Sequence, residues 1–142
     1  MRKTVLLIED DSDEVLLAKR AFQKAEPDVI LLVAESGEQA CRMLYHDFEA
    51  ALPQLILLDL QMQGRDGLSV LRELRARPLT RSLPVVLLTS SDEPGDIAVA
   101  YTCGANSYLR KPVDFDLFVL LVKDICRYWL GHNQLPLLGA LP

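Results

Sequence analysis

Short apolar runs alternate along the chain with longer segments whose apolar positions recur every three or four residues. The runs predict strands at Thr4–Ile8, Val29–Val33, Leu55–Leu58, Val85–Leu88 and Ser107–Arg110. The first four are rich in Val, Ile and Leu with little polar alternation, the signature of strands covered on both faces. Between them the period changes to that of a helix. Ser12 and Asp13 are placed to cap a helix over Asp13–Lys24, whose apolar stripe is Val15, Leu16, Ala18 and Phe22. A second helix is predicted over Glu38–Phe48 and a third over Gly67–Arg77, with Leu68, Val70, Leu71 and Leu74 inward and Pro78 as its stop. A fourth starts near Pro94 and ends at Gly104; the last spans Phe115–Leu130, with Asp114 as cap and Gly131 as stop. Strict alternation of strand and helix gives an α/β fold, a doubly wound sandwich around a parallel sheet.

Composition narrows what such a fold can do here. The 142 residues are 50% hydrophobic and 25% charged, which suits one globular domain and leaves no room for a second of ordinary size. A net charge of −5 argues against a nucleic-acid partner, because phosphate recognition needs a basic face. No apolar run approaches the ~18 residues of a membrane span. The start, Met1-Arg2-Lys3 and then an apolar run, is broken by Glu9-Asp10-Asp11, so it does not read as an export signal and the expected location is the cytoplasm. Cys41, Cys103 and Cys126 match no metal-ligand spacing or disulfide framework and read as small buried residues in a reducing compartment.

In open parallel sheets, ligands sit outside the carboxyl ends of the strands. Those ends carry Glu9, Asp10 and Asp11 after the first strand, Asp59 after the third, Thr89, Ser90 and Ser91 after the fourth, and Lys111-Pro112 after the fifth. Taken singly, Asp11 or Asp13 suits a helix cap, Thr89 a turn and Lys111 a solvated surface. Asp59 is different, since it closes a strand at the centre of the sheet and a buried carboxylate needs a partner. Together the residues make chemical sense. Clustered carboxylates repel one another, and a hard cation such as Mg²⁺ would hold them. An ionised aspartate beside that cation can attack phosphorus, with Lys111 and Thr89 meeting the charge of the transferred group. No Walker or dinucleotide glycine loop is present. His46 and His132 fall outside this edge.

Glu9-Asp10, Leu57-Leu58-Asp59-Leu60, Asp66-Gly67, Leu88-Thr89-Ser90 and Lys111-Pro112 together resemble the receiver domain of two-component response regulators, over about residues 4–130. The resemblance implies a flavodoxin-like (βα)5 fold with strand order 2-1-3-4-5. It implies Asp59 as phosphoacceptor, Asp10 as direct Mg²⁺ ligand, Glu9 reaching the ion through water, and the Gln61 main-chain carbonyl as the third protein ligand beside Asp59. Thr89 resembles the switch hydroxyl, Lys111 the lysine that pairs with the phosphoryl group, and Tyr108 the aromatic that swings between outward and inward rotamers. A cis Lys111-Pro112 bond is also implied. Two positions bear on the pattern. Gln63 stands where the family usually has proline, and Ser90 is small enough to leave Tyr108 room.

The expected domains are a receiver over 1–130 and an apolar C-terminal extension over 131–142. With so short an extension, the output is expected to be protein contact by a stand-alone receiver. On the last helix, Phe118, Leu121, Val122, Ile125 and Trp129 form the inward stripe, while Leu120, flanked by Leu117 and Val119, suggests a second contact surface. Tyr101, Asp114, Tyr128-Trp129-Leu130 and Leu135-Pro136 resemble the small receivers that serve phytochrome-type sensor histidine kinases, bacteriophytochromes among them. That resemblance implies a sensor histidine kinase partner and a homodimer through the last strand and helix plus the tail. No external substrate, and so no enzyme in the ordinary sense, is expected. A phosphatase of this type pairs its nucleophile with a second Asp two residues on, and here that position is Gln61. The remaining alternative is a binding module that uses the fold without phosphorylation.

Overall fold

The computed structural model describes residues 2–47, 52–63 and 66–136. Five parallel strands, β1 (Thr4–Ile8), β2 (Ile30–Ala34), β3 (Leu55–Leu58), β4 (Val85–Thr89) and β5 (Ser107–Arg110), form one sheet of order β2-β1-β3-β4-β5. The helices are α1 (Ser12–Ala25), α2 (Gly37–Arg42), α3 (Gly67–Ala76), α4 (Pro94–Thr102) and α5 (Phe115–Cys126). None is long and apolar enough to cross a membrane, among the described residues.

The unbroken apolar strands produce two cores, one on each face of the sheet. Successive side chains of a strand point to opposite faces. Val5 and Leu7, Leu55 and Leu57, Val86 and Leu88 therefore pack with Ala18, Ala21 and Phe22 of α1 and with Phe118, Val122 and Ile125 of α5. Leu6 and Ile8, Ile56 and Leu58, Val85 and Leu87 pack on the other side with Ala40 of α2, Leu71 and Leu74 of α3 and Ala100 of α4. Each fully buried Leu, Ile or Val side chain contributes roughly 1.5–3 kcal/mol. The central strands β1, β3 and β4 are buried along almost their whole length, whereas β2 and β5 at the edges are half-buried.

Several boundaries differ from expectation for local reasons. Asp11, not Ser12 or Asp13, caps α1, because its carboxylate reaches the free N–H groups of Asp13 and Glu14. The second helix changes after Arg42 into a π-helical turn over Met43–Asp47, and the last does so after Cys126, over Arg127–His132. The expected end at Phe48 lies outside the described residues. The Lys111–Pro112 bond is trans, against the cis expectation. Val119 is buried, because it joins the cluster that includes Ala18, Ala21 and Phe22 of α1 and so sits inside the covered arc of α5. Only Cys126 of the three thiols is buried; Cys41 and Cys103 are half-buried.

A candidate cation and phosphoryl site at the carboxyl edge of the sheet

Strand register aligns the reactive positions. Ile8 pairs with Leu58, so Glu9 and Asp10 leave β1 level with Asp59 leaving β3. The ladder runs one step beyond the strands: Glu9 N donates to Ala34 O at 3.0 Å, Asp59 N to Ile8 O at 3.1 Å and Lys111 N to Thr89 O at 2.8 Å. The main chain at Glu9, Asp59 and Lys111 is thus pinned by the sheet itself. α3 closes the arrangement from behind. Its first residue, Gly67, passes so near the chain that a Cβ there would lie 2.3 Å from the Asp59 carbonyl oxygen, so no side chain fits. Asp66 caps the same helix by accepting from Ser69 N at 2.7 Å.

An open cleft of about 960 Å³ results, lined by Glu9, Asp10, Asp59, Gln61 and Lys111, with Glu14 and Gln63 among the other walls. Carboxylate oxygens of Glu9, Asp10 and Asp59 lie within 4.8 Å of one another. Glu9 is 1% exposed and Asp59 8%, so water screens them little. Lys111 answers part of this charge, its Nζ donating to Glu9 Oε1 at 2.7 Å and to Glu14 Oε2 at 3.0 Å. Burial alone would lower the lysine's pKa, but Glu9, Glu14 and Asp59 together raise it, and the ammonium stays charged. Glu9 is pushed up to about 7, first by burial and then by Asp59, against the pull of Lys111. One ammonium does not neutralise three converging carboxylates and Glu14. The donor set, all hard oxygen with an open side, fits a divalent cation of the Mg²⁺ or Mn²⁺ kind.

The other side of the edge is built mainly on hydroxyl groups. Thr89 is fully buried, its Oγ1 accepting a long bond of 3.5 Å from Ser91 N, and it lies behind Ser90 and not on the cleft wall. Tyr108 is half-buried, and its hydroxyl donates to Ser91 O at 2.8 Å. Both residues therefore meet at one peptide segment. Ser91 Oγ in turn bonds Asp96 Oδ2 of α4 at 2.6 Å. Of the residues singled out from sequence, Glu9, Asp10, Asp59, Gln61 and Lys111 share the cleft, while Thr89 and Tyr108 sit beside it. His46 and His132 are exposed and not on its wall. Glu14 went unnoticed in the sequence, although its place three residues after the Asp11 cap puts it in the first turn of α1, beside this edge.

A profile of the response regulator receiver domain matches residues 5–123. The chain belongs to the response regulator receiver family. Response regulator Rcp1 of Synechocystis sp. is 31% identical over 137 residues, covering 94% of this chain and 93% of Rcp1. A methanogenesis regulatory protein described as probable, FilR2 of Methanothrix harundinacea, is 34% identical over 134 residues, 93% of this chain and 86% of FilR2. Among solved structures, the phosphorylated cyanobacterial phytochrome response regulator RcpA superposes with a TM-score of 0.87 at 29% identity, over 96% of this receiver and all of RcpA. The Mn²⁺-bound form of Rcp1 superposes with a TM-score of 0.82 at 31% identity, over 95% of this receiver and 99% of Rcp1.

Proposed function

We propose that this receiver takes a phosphoryl group on Asp59 from a sensor histidine kinase in a Mg²⁺-dependent reaction, and signals in the cytoplasm through protein contacts. The observation that carries the reading is Asp59 itself: nearly buried, at the end of the central strand, and within reach of Glu9 and Asp10. Asp10, Asp59 and the Gln61 main-chain carbonyl would hold the cation directly and Glu9 through water; bound there, it supplies positive charge to the carboxylates and the incoming phosphoryl oxygens. An Asp59 carboxylate oxygen attacks phosphorus, the P–N bond of the kinase phosphohistidine breaks with its electron pair going to nitrogen, and an acyl phosphate forms. Lys111, freed from one of its two carboxylates, turns to the new charge. Thr89 turns likewise and gives up its weak bond to Ser91 N. Because Tyr108 hangs on the carbonyl of that same Ser91, the rearrangement reaches α4, β5 and α5, altering their fit to a partner.

A kinase of phytochrome type is favoured by the likeness to RcpA, itself a phytochrome response regulator. The net charge of −5 disfavours nucleic acid as the target. Tyr101 of α4, Leu117 and Leu120 of α5, and Tyr128 beyond it are all about half exposed. Such a set suits a homodimer through the last strand and helix, with the C-terminal tail joining it; the tail from Leu137 onward lies outside the described residues. Sedimentation of the wild type should show a dimer that Leu120→Glu dissociates, and a monomeric wild type at tens of micromolar would refute this part. For the phosphoryl reaction, intact mass after incubation with Mg²⁺ and acetyl phosphate should show one added phosphoryl group. The adduct should vanish in Asp59→Asn and in EDTA. With no adduct, and no beryllofluoride-induced change in Trp129 fluorescence, the chain would be a phosphorylation-independent binding module.

A further inference from the structure

Asp10 is held in a way its own sequence neighbourhood does not suggest. The main-chain N–H of Gln63 donates to Asp10 Oδ2 at 2.7 Å, across 53 positions of sequence. That length is typical of a charge-assisted bond. Two residues earlier in the same loop, the Gln61 N–H faces Asp59 Oδ1 at the longer distance of 3.4 Å. One loop therefore touches both carboxylates, one from the end of β1 and one from the end of β3. Among the described residues, the Gln63 bond is the only hydrogen bond the Asp10 carboxylate accepts. Without it the group would lose this restraint on turning about its Cβ–Cγ bond. A proline at this position would have no N–H to give, so the contact depends on this chain's glutamine, or on any residue other than proline.

We propose that Gln63 is a positioning residue for the cation site. Its N–H occupies Asp10 Oδ2 and leaves the other carboxylate oxygen for the ion, so that the ligand is already oriented when the ion arrives. The inference rests on the reading of Glu9, Asp10 and Asp59 as a cation site. Hydrogen-bond partners of metal ligands typically carry a 10–100-fold effect on affinity, because they fix ligand direction.

Isothermal titration with MgCl₂, repeated with MnCl₂, on wild type, Gln63→Ala and Gln63→Pro separates the possibilities. Alanine keeps the N–H and removes only the side chain; proline removes the N–H. Gln63→Ala should bind as the wild type does, and Gln63→Pro about 10-fold more weakly. Equal affinities for Gln63→Pro and wild type would overturn the proposal. So would an equal loss in Gln63→Ala, since the side chain would then be responsible. A wild type that binds neither ion would instead remove the cation site, a result distinct from binding that ignores the proline. Should proline disturb the loop more widely, the Gln63 amide resonance gives an independent reading. It should lie downfield, move upfield in Asp10→Asn, and stay downfield when Mg²⁺ is added. An amide unaffected by Asp10→Asn would contradict the proposal.

Discussion

The two halves of the sheet's carboxyl edge are built on opposite principles. On the β1–β3 side, Glu9, Asp10 and Asp59 bring carboxylate oxygens within 4.8 Å of one another, Glu9 and Asp59 buried and Asp10 half-buried, against one lysine. On the β4–β5 side, Thr89 and Tyr108 each bond the Ser91 main chain, and the Ser91 hydroxyl bonds the Asp96 carboxylate. The first half is electrostatically unbalanced until positive charge enters, so it can respond to a cation. The second is satisfied in its present arrangement. The bonds of Thr89 and Tyr108 to the Ser91 main chain are worth only about 1 kcal/mol each, so they can be rearranged cheaply.

The sharpest way to break this contrast is to move the main chain under Asp59. Gly67→Ala would put a methyl group 2.3 Å from the Asp59 carbonyl oxygen. Backbone cannot yield as a flexible side chain can, so a destabilisation of about 1–3 kcal/mol is expected. Urea denaturation reads it, and an unchanged midpoint would mean that α3 does not set the position of Asp59.

A second test uses pH. Glu9 titrates near 7 in the folded protein, against its ordinary 4.5 when unfolded. Between those values the native state binds the extra proton, so stability falls as pH rises. The contribution is fully present below about 4.5 and lost as pH passes 7. In EDTA the melting temperature should therefore decline across that window, and Glu9→Gln should flatten the decline. With Mg²⁺ present the trend should weaken or reverse, because the ion competes with the proton. A metal-free melting temperature that rises from pH 5 to 7 by the same amount in both proteins would count against the imbalance.

The smallest effect is expected on the hydroxyl side. Tyr108→Phe removes the bond to Ser91 O and should cost about 1 kcal/mol, independent of pH between 5 and 8. A cost several times larger would show that this half is as strained as the other.

The sequence announces the acidic half more plainly than the hydroxyl half. Every apolar strand run but the second is followed by a candidate residue, so locating Leu58 locates Asp59, and the parallel register does the rest. Thr89 is legible as the end of the fourth strand, but Tyr108 is recognisable only by resemblance, and their meeting at Ser91 depends on how the chain turns between β4 and α4. The helix ends show the limits of periodicity. A π-helical turn at Met43–Asp47 or Arg127–His132 preserves an apolar face well enough to read as ordinary helix. The Asp11 cap, the Glu14 contact with Lys111 and the Gln63 contact with Asp10 are decided by distances of a few tenths of an ångström, which no spacing rule contains.

The proposed phosphoryl transfer turns Asp59 into an acyl phosphate. Borohydride reduces such an anhydride to homoserine, so trapping the acetyl phosphate reaction and mapping peptides locates it directly. Homoserine at position 59 alone, dependent on Mg²⁺, is the predicted result. Homoserine at position 10 or 66 with Asp59 intact, or none at any position while Mg²⁺ binds normally, would contradict it.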